Sequence, residues 1–145
     1  PILGEHGDSM VLLPRHTSVG GRPLTSLLTG DRIEAILKET REMGAKIISL
    51  KGWSAHHAPG AGAALMVDAI VRDRNAVIPV SFYHMGEYGF EGVCSVVPAV
   101  IGRTGVKKVI ELELSPEERE ALIRSVEKVR QAQQEVDRLL ASGAS

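Results

Sequence analysis

The stretch that decides the fold class is residues 76–114: Ala76-Val77-Ile78-Pro79-Val80-Ser81-Phe82-Tyr83, then His84-Met85-Gly86-Glu87-Tyr88-Gly89, then Val93-Cys94-Ser95-Val96-Val97-Pro98-Ala99-Val100-Ile101-Gly102, and finally residues 106–114. Residues 77–83 are β-branched and aromatic, a composition that fits a pleated, half-buried surface. The glycine-bounded segment after them reads as a turn, residues 93–102 as a second strand, and Arg103-Thr104-Gly105 as a tight turn into a third over 106–114. Three consecutive strands with short connections form an antiparallel meander, because a parallel pair needs a crossover of a dozen or more residues. Pro98 cannot donate to a ladder and is expected at an edge or a bulge. Cys94 lies in an apolar run and is expected to be buried and inert.

Helices flank this core on both sides. Downstream, Ser115-Pro116-Glu117-Glu118 is a capping box, with Ser115 as N-cap, Pro116 at the first helical position and Glu118 reaching back. Leu122, Val126, Val129, Val136 and Leu140 mark one stripe on a helix of about 25 residues. A helix laid across the domain surface explains it better than a coiled-coil seam, whose repeat here is short and interrupted by Gln133. The small, polar tail over residues 141–145 is expected to fray.

Upstream, Asp31 can cap a helix whose stripe holds Ile33, Ile36, Leu37, Ile47 and Ile48, with a kink or a break expected at Gly44. A second helical pattern (Ala63, Met66, Val67, Ile70, Val71) follows Pro59, which suits a first turn. Before these, Met10-Val11-Leu12-Leu13 reads as a short strand stopped by Pro14, and Gly20-Gly21 punctuate a turn. The fold class is therefore α+β, an antiparallel β-sheet packed with long helices.

The 145 residues are ordinary globular material for one domain, 43% hydrophobic and 24% charged. A net charge of -1 gives no reason to expect nucleic acid or an anionic membrane as partner. One cysteine excludes an internal disulfide and fits a reducing cytosol. No apolar run reaches the roughly 18 residues that a membrane span needs. The chain opens on Pro1-Ile2-Leu3 with neither a basic leader nor an initiator Met, and is expected to be a fragment. Aromatics make up only 3%, so small apolar residues must carry the core.

Two stretches carry chemistry. In Gly4-Glu5-His6-Gly7-Asp8-Ser9-Met10-Val11, glycines bracket a histidine, so the chain can turn sharply and be approached closely. The imidazole ionises near neutrality, which suits proton transfer. From spacing alone, His6 is either that or a turn histidine. Asp8 is awkwardly close on the same tight loop to orient the ring. In Lys51-Gly52-Trp53-Ser54-Ala55-His56-His57-Ala58-Pro59-Gly60, a serine precedes a helix start, which could hold an anion or a carboxamide or could simply be capped. His56 and His57 point in different directions at a helix entry and lack a Cys or carboxylate cluster, so packing or an interface outweighs a metal site.

These blocks resemble the lactate/malate dehydrogenase family over nearly the whole chain. Gly4-Glu5-His6-Gly7-Asp8-Ser9 with the following apolar run is similar to the family's catalytic-histidine motif, and Met10-Val11-Leu12-Leu13-Pro14-Arg15 to its lactate-dehydrogenase-like malate dehydrogenases. Residues 17–24 resemble its Thr-Val-x-Gly-x-Pro connection, and Gly86-Glu87-Tyr88-Gly89 a sequence common in the malate-type enzymes. Residues 97–106 resemble Val-Pro-x-x-Leu-Gly-x-x-Gly-Val. Residues 52–59 resemble Gly-Ser-Ala-Tyr-Tyr-Ala-Pro, with His56 and His57 where the family usually has aromatics.

The resemblance implies the C-terminal substrate-binding and catalytic domain over residues 1–145, with the N-terminal dinucleotide-binding domain absent. It implies NAD as cofactor and reversible hydride transfer on a 2-keto or 2-hydroxy dicarboxylate, malate/oxaloacetate, with a role in the tricarboxylic acid cycle. His6 would be the proton donor and acceptor. Ser54 and Ala55 would face the substrate, and Ser54 and Pro59 the nicotinamide. No metal is implied. A homodimer or homotetramer in the cytoplasm is expected, and an isolated fragment should be inactive. The alternatives are an L-lactate dehydrogenase domain or a non-catalytic oligomerisation fragment.

Overall fold

Turn glycines and helix caps set the element boundaries in the computed structural model, which describes residues 1–143; the predicted frayed tail lies partly outside them. In chain order the strands are β1 (Ile2–Leu3), β2 (Val11–Leu12), β3 (Ser18–Val19), β4 (Arg22–Pro23), β5 (Ala76–Met85), β6 (Glu91–Gly102) and β7 (Gly105–Val109). The helices are α1 (Leu24–Leu27), α2 (Gly30–Lys51), α3 (His57–Val71) and α4 (Pro116–Ala141). By its contacts the chain divides into two compact units. One comprises Pro1, Leu12–Ile78 and Ala99–Lys108; the other comprises Ile2–Val11, Pro79–Pro98 and the chain from Val109 onward.

In the first unit, β3 and β4 pair antiparallel with Val19 opposite Arg22. The two residues between them, Gly20 and Gly21, have φ of +57° and +79°. A two-residue hairpin of this hand needs positive φ at both central positions, which glycine alone adopts without strain. Helix α2 begins after Thr29, carries Asp31 in its first turn and ends at left-handed Gly52, whose N–H bonds the Ile48 carbonyl at 2.8 Å. The expected kink at Gly44 is absent, since α2 runs unbroken for 22 residues. A helix-interior glycine costs about 1 kcal/mol relative to alanine but, unlike proline, removes no hydrogen bond. Along the predicted stripe Ile33 is buried and Ile36, Leu37 and Ile47 are half-buried, whereas Ile48 is exposed. Beyond α3, the Asp73 carboxylate accepts the Arg103 N–H at 2.8 Å and meets Lys107 Nζ at 2.8 Å. Those two contacts, the Arg103 amide first, hold its carboxyl below the usual carboxylate range.

The sheet has the order β5-β6-β7, as the meander predicts. β7 is shorter than the predicted run over 106–114, because strand pairing ends at Val109 and the Ile110 N–H then bonds the Pro98 carbonyl at 2.8 Å. Pro98 is not at an edge of the sheet: it lies buried in the middle strand. β7 requires an acceptor from it at that point, and a proline carbonyl provides one. Cys94 also departs from expectation, being exposed. Successive strand residues face opposite sides, and here Val93 and Ser95 take the buried side. Small aliphatic residues do carry the core, in which Tyr88 is the one buried aromatic among the described residues.

In the second unit Gly4 and Val96 exchange both backbone hydrogen bonds, at 3.0 and 2.7 Å. Helix α4 starts with the predicted capping box: Glu118 N–H to Ser115 Oγ at 3.2 Å and Ser115 N–H to Glu118 Oε2 at 2.8 Å. Leu122, Ser125 and Val126 of α4 are buried, while the later stripe residues Val136 and Leu140 are exposed.

Candidate active site

The His6 loop is built on the second unit from glycine geometry and α4. Gly4 has φ +85°, and a Cβ there would lie 2.8 Å from the Ser125 Cβ, so a side chain fits neither the backbone conformation nor the space. The next residue anchors the same way, with Glu5 N–H donating to Ser125 Oγ at 2.8 Å. The Ser9 hydroxyl donates to the Glu5 carboxylate and sits 3.2 Å from Ser125 Oγ. A Met10 N–H to Gly7 carbonyl bond at 3.1 Å closes the turn, and Lys128 Nζ lies 3.5 Å from the Glu5 carboxylate. The Ser9 bond, helped by Lys128 and opposed by partial burial, holds the Glu5 carboxyl below its ordinary value. Both flanks of His6 are thus tied down while its ring is exposed. Among the described residues no hydrogen bond or ion pair joins Asp8 to that ring. An exposed imidazole on a fixed loop can exchange a proton with a bound molecule.

The Ser54 segment belongs to the first unit. It links the Gly52 cap of α2 to α3, with Ser54 exposed, Ala55 half-buried and Pro59 exposed as the third residue of α3. Lys51 Nζ sits 5.6 Å from the Trp53 ring centroid. Plain capping by Ser54 is not what forms: His56 is the N-cap of α3, and no side chain caps that end. The His56 and His57 ring centroids are 4.2 Å apart at a 47° tilt. His6 belongs to one unit and Ser54, Ala55 and Pro59 to the other, so each group is built locally by its own segment.

A buried polar cluster in the second unit had no clear signal in the sequence. His84 Nδ1 lies 3.2 Å from the Glu87 carbonyl, and its Nε2 lies 2.6 Å from Ser95 Oγ. A carbonyl only accepts, so Nδ1 carries the proton and Nε2 accepts from Ser95. Burial pushes the His84 pKa down, against weaker upward pulls from Glu87 and Glu111. Phe82 and Phe90 meet the ring edge-on, at 5.9 and 5.8 Å. Tyr88, at φ +53°, donates its N–H to Glu111 Oε2 at 2.8 Å, and its hydroxyl links Ile110 O and Leu112 N–H. An open concavity of about 470 Å³ beside this cluster, lined by Tyr83, His84, Met85, Glu91 and Gly92, contains none of the sequence-predicted site residues.

The family model described as lactate/malate dehydrogenase, alpha/beta C-terminal domain, matches residues 1–139. The chain belongs to this family. Among its lactate/malate dehydrogenase relatives, malate dehydrogenase of Cytophaga hutchinsonii is 46% identical over 138 residues, 95% of this chain and 44% of the relative. Malate dehydrogenase of Thermomicrobium roseum is 47% identical over 138 residues, 95% of this chain and 45% of the relative. The solved structure of malate dehydrogenase from Salinibacter ruber superposes with a TM-score of 0.94 at 41% identity, covering 98% of this chain and 47% of that one. The chain therefore spans less than half the length of the curated relatives it matches.

Proposed function

We propose that this chain is the C-terminal, catalytic half of an NAD-dependent malate dehydrogenase, with His6 as proton donor and acceptor. The observation that carries the reading is the His6 loop, an exposed imidazole with both flanks anchored, in a chain whose relatives are named malate dehydrogenase. As imidazolium, His6 donates a proton to the keto oxygen of a 2-keto dicarboxylate; as neutral imidazole, it takes the hydroxyl proton in the reverse direction. Ser54 and Ala55 line the substrate pocket, and Ser54 and Pro59 contact the nicotinamide.

These residues fit only the nicotinamide end of the cofactor. Ser54 and Pro59 are exposed, and the start of α3 carries no side-chain cap to occupy its first amides. No glycine-rich strand-to-helix phosphate loop of the GxGxxG type is present in the sequence, so the rest of the dinucleotide needs an N-terminal half. NAD supplies the hydride acceptor and, reduced, the donor.

The proposal includes self-association and a cytoplasmic setting. Leu50, Trp53, Leu65, Val67 and Val71, on and between α2 and α3, are large apolar side chains left exposed, which supports a homodimer or homotetramer. Among the described residues no helix is long and apolar enough to cross a membrane. The test is substrate choice in the enzyme formed by this chain with its dinucleotide-binding half. Oxaloacetate should be reduced in preference to pyruvate, with NADH. A preference for pyruvate would instead identify a lactate dehydrogenase.

A further inference from the structure

We propose that helix α4 positions His6 through Ser125 and Lys128, an inference that rests on the reading of His6 as the proton carrier. The donors and acceptors of the loop fix where its protons lie. The Glu5 carboxylate only accepts, so the Ser9 proton goes to it. Ser9 Oγ must then be the acceptor in its 3.2 Å contact with Ser125, whose own proton points to Ser9. Ser125 Oγ in turn accepts the Glu5 N–H at 2.8 Å. The hydrogen bonds therefore run in one direction around a closed ring, from Glu5 N–H through the Ser125 and Ser9 hydroxyls to the Glu5 carboxylate.

His6 follows Glu5 directly; Glu5 and Ser9 are both bonded to the single Ser125 side chain, which also packs so close to Gly4 that no Cβ fits there. Ser125 is fully buried, so bulk solvent does not reach its hydroxyl. Lys128, one turn along α4, adds an opposite charge to the same carboxylate at 3.5 Å. Losing the Ser125 hydroxyl breaks two links of the ring and leaves a Glu5 amide without its partner. The first consequence is a shift of the residue that must meet the substrate oxygen at hydrogen-bond distance. Neither Ser125 nor Lys128 touches substrate in this account, so both are positioning residues.

The test uses the complete enzyme containing this chain, with kcat, KM for NADH and thermal midpoint measured for Ser125→Ala, Lys128→Ala, Lys128→Arg and His6→Gln. Misplacing a reacting group by about 1 Å costs on the order of 100-fold, so Ser125→Ala should lower kcat by roughly 10- to 100-fold with KM for NADH nearly unchanged. Lys128→Ala should lower kcat by about two- to five-fold, the range of an exposed ion pair, and Lys128→Arg should restore it. Lys128 is 55% exposed, so its variants fold and the comparison stands even if Ser125→Ala does not. Wild-type kcat in Ser125→Ala, or Lys128→Arg no better than Lys128→Ala, overturns the proposal while His6→Gln remains inactive. An active His6→Gln instead removes the reading on which it rests.

Discussion

Replacing Gly4 by alanine is the sharpest structural test of how the His6 loop is held. The position has φ +85°, where a residue with a Cβ loses about 1–2 kcal/mol. Its new methyl would also meet the Ser125 Cβ at 2.8 Å, and Ser125 is fully buried. Overpacking of that kind costs about 1–3 kcal/mol. The unfolded chain loses entropy on gaining a Cβ, which offsets about 0.4–1 kcal/mol. The net loss is about 2–4 kcal/mol, a large fraction of the 5–15 kcal/mol typical of a domain, and on the order of 5–15 °C in midpoint at this size. Gly7→Ala provides the internal control. Its Cβ would lie 2.9 Å from Glu5 Oε1, in a carboxylate that Ser9 and Lys128 hold, but its φ lies outside the left-handed region, so it bears the contact cost without the backbone strain and should lose less, about 1–2 kcal/mol. Equilibrium urea unfolding followed by circular dichroism reads both. A Gly4→Ala loss no larger than that of Gly7→Ala would refute the claim that this glycine is dictated by α4.

Other parts of the chain give three further expected outcomes. His84 is buried with its folded pKa lowered, so below the unfolded value of about 6.5 the unfolded chain binds protons that the folded chain resists. Stability should be full above that pH and fall as pH drops through the window; urea midpoints at about pH 7.5 and 5.5 should differ more for the wild type than for His84→Gln. Ser115→Ala removes the N-cap of α4 and should cost about 1 kcal/mol, measured by the same unfolding assay, whereas Ser115→Asp should retain most of it. A homogeneous sample of the 145-residue chain alone should neither bind NADH tightly nor oxidise it with oxaloacetate, as isothermal titration and absorbance at the nicotinamide band would show.

What could be read from the sequence was what short-range chemistry determines. The capping box at Ser115 and Glu118 involves residues three apart, and the Gly20-Gly21 turn needs nothing beyond positive φ, so both were legible, whereas the two-residue strands that make the turn a hairpin were too short to read. The meander followed from strand length and turn spacing. Gly44 misled because a glycine weakens a helix without breaking its ladder. Cys94 misled because an apolar neighbourhood says nothing about phase: Val93 and Ser95 face the core, so the residue between them faces water. Pro98 is tolerated in the middle strand because only its carbonyl is used where β7 stops. In the site, the bracketing glycines left His6 open as a turn histidine, the family resemblance singled it out, and its support was not legible. Ser125 lies 120 residues from Glu5, and the one cue was a serine three residues after Leu122, inside the buried stripe of α4. The His84 and Ser95 pair is separated by a turn and hidden by the strands that carry it.

The central claim is that His6 carries the proton, and the most direct measurement is the rate of oxaloacetate reduction by the complete enzyme with His6→Gln beside the wild type, together with NADH binding. Glutamine retains hydrogen bonding but cannot ionise, so turnover should fall by roughly 100- to 10,000-fold while NADH binds as before. Turnover near that of the wild type, with NADH binding intact, would contradict the account.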